Sequence, residues 1–136
     1  AFELMAALEG LAGELAAARV TDDDLTELRV LQAEMEAAHA RHDLPAYYAI
    51  NRAIHDRLSV IAGNPILAHT YRTLNARLHA LRFRSNLNVA KWDQAVDEHR
   101  QMIAALAARD GATLRDLLIR HLRAKQEAVL EALETD

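Results

Sequence analysis

The chain has 136 residues, 51% of them hydrophobic, with no cysteine and a formal charge of −4. That length fits one domain with enough apolar material for a core. Disulfides and thiolate metal sites are excluded, there is no polybasic arm for nucleic acid, no apolar run nears the roughly 20 residues that span a bilayer, and the opening residues lack a signal-peptide pattern.

Aromatic residues make up 4% of the chain, and Ala and Leu dominate, which suits packed helices and suits strands badly. The first predicted helix runs from about Phe2 to Arg19. Gly10 and Gly13 each weaken it by about 1 kcal/mol relative to Ala, so it must rely on packing. Thr21 and the acidic run Asp22-Asp23-Asp24 supply an N-cap and negative charge at a helix start. The second helix continues to about Arg41, with Leu25, Leu28, Leu31 and Met35 at helical spacing. His42-Asp43 breaks it. Asp43 can cap a third helix, Pro45 fits its first turn, and Tyr47, Ile50, Ile54, Leu58 and Ile61 form its apolar face up to Ala62.

Gly63-Asn64-Pro65 is the sharpest punctuation in the chain. Gly63 can take the left-handed position after a helix, Asn64 can cap, and Pro65 can open the fourth helix. Leu67, Tyr71, Leu74, Leu78 and Leu81 make the stripe of that helix, and Ser85-Asn86-Leu87-Asn88 reads as a loop. The fifth helix, about Ala90 to Arg109, carries Trp92, Val96, His99, Ile103 and Leu106 inward, and Asp110-Gly111 ends it. The sixth, about Thr113 to Glu134, turns Leu114, Leu117, Leu118, His121, Ala124 and Ala128 inward. The pattern predicts an all-α, antiparallel bundle of six helices forming a single domain over residues 1–136.

His55, His99 and His121 fall where their helices should carry core residues. Imidazole fills a core poorly and is the commonest side-chain metal ligand. Asn51 lies four residues before His55, so the two stack on one helix face. Three antiparallel helices can thus point three imidazoles and one amide oxygen at one spot. That donor set suits a divalent transition ion, with zinc first and nickel, iron or manganese as alternatives. The bland reading of each histidine alone is a hydrogen-bonded core residue. His39 and His42 flank a helix end and are expected to face water, and His69 and His79 to be exposed or at an interface.

The order of motifs resembles the C-terminal effector-binding (FCD) domain of GntR-type transcription regulators, FadR subgroup. Leu8-Glu9 through Leu15-Ala16-Ala17 is similar to the family's opening helix. Asn51-x-x-x-His55 followed by Ala62-Gly63-Asn64-Pro65 resembles its D/N-x-x-F-H…A-G-N-P signature, and Glu98-His99, Ala108-Arg109-Asp110 and His121 resemble its E-H…G-D…H ending. The resemblance implies a six- or seven-helix bundle with an internal ligand cavity and a metal held by Asn51, His55, His99 and His121. It further implies a small carboxylate effector, and DNA binding through a winged helix-turn-helix domain upstream of Ala1. A homodimer is expected because operators are two-fold, as are a cytoplasmic setting and no enzymatic activity. Asn51 stands where many members have Asp, Ile54 where Phe is common, and Met5 where members often carry Arg.

Three neutral imidazoles and a neutral amide leave a divalent charge uncompensated, which favours an anion such as the effector's carboxylate. Arginine matches a carboxylate with its planar fork. Arg77 and Arg82, on opposite edges of the fourth helix's stripe, are the candidate clamps, each with the alternative of a solvated surface side chain. Two other functions compete with a sensor. A metal-dependent hydrolase-like enzyme would need a positioned general acid or base. No H-E-x-x-H is present, and Asp56 and Glu98 each adjoin a histidine, which turns them away from its direction. Glu36-x-x-His39 occurs alone, where a di-iron bundle needs a pair. The remaining alternative is a purely structural helical dimerisation module.

Overall fold

The computed structural model describes residues 2–85 and 89–134, with side chains described for 2–77 and 92–131. Six helices follow one another: α1 (Phe2–Arg19), α2 (Asp22–Ala40), α3 (Leu44–Ala62), α4 (Pro65–Ser85), α5 (Val89–Ala107) and α6 (Gly111–Glu134). All six expected helices are present, and their limits match the caps. Residues 86–88 of the expected loop lie outside the described residues, as do the side chains of Leu78, His79, Leu81 and Arg82.

Helix ends are fixed by local chemistry. Thr21 and Asp24 form a reciprocal capping box on α2: the Asp24 N–H donates to the Thr21 hydroxyl at 3.1 Å, and the Thr21 N–H donates to the Asp24 carboxylate at 3.0 Å. Gly63 closes α3 in the left-handed region with φ 69°, and Asn64 then caps α4 by accepting from the Leu67 N–H at 3.1 Å. The α2–α3 and α5–α6 turns share a different device. His42 (φ 56°) and Arg109 (φ 58°) adopt the left-handed conformation although neither is Gly. In each turn the next N–H, from Asp43 or Asp110, reaches back to Ala38 or Ala105, closing a Schellman motif. The same aspartate then caps the following helix, accepting from Ala46 or Thr113. Gly111 therefore begins α6 instead of ending α5. A Cβ there would sit 3.2 Å from the Glu14 carbonyl oxygen of α1, so the residue is Gly because another backbone passes close by.

Helix α1 lies against α3, α4, α5 and α6, and its small residues permit this. Met5, Ala6, Glu9, Gly10, Ala12, Gly13, Ala16 and Ala17 are all buried. A Cβ on Gly10 would meet the Ile119 side chain at 3.0 Å, and one on Gly13 would overlap Leu118. The two glycines thus trade helix propensity for close approach of α1 to α6. The main core joins Leu28, Met35, Tyr47, Ile54, Trp92, Val96, Leu106, Leu114 and Leu118 from α2, α3, α5 and α6. Met5 is fully buried and packs with Tyr71 and Leu122 in a smaller apolar cluster.

Candidate metal centre

Helices α3, α5 and α6 each bring one histidine to the interior. His55, His99 and His121 are 3%, 0% and 1% exposed. Their positions follow from helical spacing: His55 follows Ile54 and precedes Leu58 by one turn, His99 lies between Val96 and Ile103, and His121 follows Leu117 and Leu118 by one turn. Ring centroids lie 5.1 Å apart for His55–His99, 5.0 Å for His99–His121 and 5.8 Å for His55–His121. One ligand nitrogen from each ring falls within 4.8 Å of the other two. Bonds from a transition ion to imidazole nitrogen are about 2.0–2.1 Å, so two of them reach across about 4 Å. Three nitrogens on one such ion lie about 3.3–3.6 Å apart, so the rings must draw together by about 1 Å to share it.

Asn51 is 3% exposed, one turn before His55 on the same buried face. Its Oδ1 is buried without a hydrogen-bond partner, and so is Nε2 of His121. Buried acceptors and imidazole nitrogens are normally satisfied, and a cation among them would satisfy both. The donor chemistry and these two orphaned atoms fit a divalent metal ion. One turn earlier on α3, the Tyr47 hydroxyl is also buried and unpartnered. Burial, aided by the negative charge of Glu98, pushes its phenol well above the usual tyrosine range, so it stays a hydrogen-bond donor.

Two carboxylates stand behind the rings. Glu9 of α1 places Oε1 3.7 Å from Nδ1 of His55. Glu98 of α5 places Oε1 3.4 Å from Nδ1 of His121. Two carboxyl groups thus sit next to the imidazoles, which the expectation built on three imidazoles and one amide did not include. Sequence reasoning passed over both. Glu98 does turn away from its neighbour His99, as helical geometry requires, but it meets the histidine of the adjacent helix instead. Glu9 had a legible signal: it continues the Met5 and Gly13 face of α1, where every other buried residue is apolar or glycine. A small crevice between α5 and α6 is lined in part by Gln94, Glu98, His121 and the buried Lys125.

The other candidate residues lie elsewhere. The Arg77 side chain is exposed on α4, and Arg82 lies outside the described side chains. His42 and His69 are exposed. His39, expected to face water, is partly covered: its Nε2 is 2.6 Å from Asp93 and its ring lies edge-on to Trp92 at 4.9 Å.

A model of the FCD domain family matches residues 1–124. Among solved structures, a Streptococcus agalactiae GntR shares 24% identity with a TM-score of 0.80, over 93% of this chain and 56% of that one. E. coli McbR/YncC shares 23% identity with a TM-score of 0.85, over 95% of this chain and 62% of that one. The chain thus spans less than two thirds of either neighbour. No curated protein matches the sequence. Six helices in this order, the glycine-asparagine-proline turn and the family match over nearly the whole length place the chain in the FCD domain family.

Proposed function

We propose that the chain is the ligand-sensing domain of a GntR-type transcription regulator. It holds a divalent metal ion, zinc foremost, on Asn51, His55, His99 and His121, and takes up a small carboxylate effector beside that ion. The observation that carries this reading is the convergence of three buried imidazoles from three helices, with ligand nitrogens within 4.8 Å of one another. When bound, the metal supplies a Lewis-acidic centre that an effector oxygen can join. The chain's own residues fix its position and exclude water around it.

Effector uptake among α3, α5 and α6 changes how these helices pack only if the ligand prefers one arrangement. Helix α1 touches α3, α5 and α6, so it is the element that would pass such a preference to a DNA-binding domain joined upstream. Homodimerisation, a cytoplasmic setting and a regulatory role in place of catalysis belong to the same proposal. Arg77 and Arg82 are offered as carboxylate clamps, Arg77 by folding inward from its exposed position.

Zinc titration of the wild-type chain and of His55→Ala, His99→Ala and His121→Ala tests the proposal, with a panel of small organic acids added to metal-loaded and metal-free protein. One zinc per chain, lost in each variant, and acid binding that needs the metal are expected. Equal acid affinity with and without zinc rules out direct ligation. Unchanged acid affinity in Arg77→Ala and Arg82→Ala removes the arginines from the site.

A further inference from the structure

Each carboxylate behind the rings faces Nδ1 of its own histidine. Glu9 approaches Nδ1 of His55 with both side chains 3% exposed. Glu98 approaches Nδ1 of His121, with side-chain exposures of 17% and 1% respectively. An ionised carboxylate only accepts hydrogen bonds. Beside it, a neutral imidazole places its one proton on Nδ1, and its lone pair then sits on Nε2. In His121 that Nε2 is the buried atom with no hydrogen-bond partner.

We infer that Glu9 and Glu98 are positioning residues for the three-histidine centre. They select the Nδ1–H tautomer of His55 and His121, aim both Nε2 atoms at the shared point, and balance the charge of a divalent cation held there. This rests on the metal reading above and adds two residues to it. A carboxylate that orients a ligating histidine typically changes metal affinity about 10–100-fold when removed. The pairing also brings α1 into the site. No candidate ligand lies on α1, yet through Glu9 that helix touches His55. Metal occupancy and the seating of α1 are therefore linked by one contact between buried side chains.

The test is zinc affinity, measured by competition with a chromophoric chelator, for the wild type, Glu9→Gln and Glu98→Gln. It is paired with long-range proton–nitrogen NMR of the histidine rings in the zinc-loaded chains. Gln keeps the size and an acceptor oxygen but removes the charge. About 10–100-fold weaker zinc binding is expected in each variant, with zinc on Nε2 and the proton on Nδ1 of His55 and His121 in the wild type. Zinc bound through Nδ1 of these rings overturns the inference, and so does zinc affinity unchanged in both variants. A wild type that takes up no zinc overturns the metal reading and this inference together. If Glu9→Gln, at the more buried position, does not fold, Glu98→Gln decides the matter alone, because Glu98 is partly exposed.

Discussion

Glu98 leans away from His99, its neighbour in the chain, and sets its carboxylate 3.4 Å from Nδ1 of His121 on the next helix. That contact, beside the His99–His121 ring pair, joins α5 to α6 at the depth of the site. It also shows how a residue dismissed by helical geometry within one helix becomes part of a site built from several.

Asn51 is a neutral amide one turn before His55 on the same buried face of α3. Asn51→Asp adds a negative charge beside the bound cation. Zinc should bind about tenfold or more tightly, and small organic acids should bind the metal-loaded chain more weakly, because the added carboxylate competes for the same charge. Calorimetric titration reads both quantities. Tighter binding of both ligands would contradict the electrostatic part of the account.

Gly13 of α1 faces α6, with the buried Leu118 side chain packed against it. Gly13→Ala gains about 1 kcal/mol of helix propensity but forces a methyl into an occupied space, and overpacking costs about 1–3 kcal/mol. A net loss of stability is expected in urea denaturation. A gain would mean that the α1–α6 contact is looser than the structure has it.

Arg109 and His42 hold left-handed backbone without being Gly. Such residues cost about 1 kcal/mol relative to Gly at the same φ. Arg109→Gly should therefore raise the thermal midpoint, since its exposed side chain makes no described contact. The effect of His42→Gly should be smaller, because the His42 ring lies edge-on to Trp92 at 6.1 Å and that contact is lost.

Acid should weaken the bundle through its caps. The Asp24 carboxyl is held below its ordinary value of 3.8, first by the hydrogen bond from the Thr21 N–H, then by the Thr21 hydroxyl and Arg57. Asp110 is lowered in the same sense by Thr113. Folded values below unfolded ones stabilise the chain above the unfolded value, and that stability is lost as pH falls through the folded value. Asp24→Asn and Asp110→Asn should thus flatten the stability profile below about pH 4 and leave its slope near neutrality unchanged. Chemical denaturation at a series of pH values measures this.

Much of the fold was legible because punctuation and periodicity agreed. Gly63-Asn64-Pro65 reads as a stop, a cap and a start, and the backbone uses it so. The inward stripe of α5 from Trp92 to Leu106 is buried in the order its spacing predicts. The α5–α6 turn was misread in one detail. Asp110-Gly111 looks like a helix stop, whereas Arg109 takes the left-handed position and Gly111 is small to clear α1. Single-helix reasoning has no view of a neighbouring backbone.

The site was legible to the same depth. His55, His99 and His121 were readable because a polar ring inside an apolar stripe is visible along one helix. Glu9 was legible only as a polar residue on the buried face of α1, and Glu98 was not, because the partners of both lie on other helices. The partly covered state of His39 escaped for the same reason, since Asp93 and Trp92 come from another helix.

X-ray absorption at the zinc edge on the loaded chain, with His99→Ala as the control, tests the central claim most directly. His99 is fully buried and lies edge-on to both other rings. The account predicts one zinc per chain with three imidazole nitrogens and additional oxygen at about 2.0–2.1 Å, and loss of that shell in the control. A shell with fewer than three imidazoles, or one that survives His99→Ala, would contradict it.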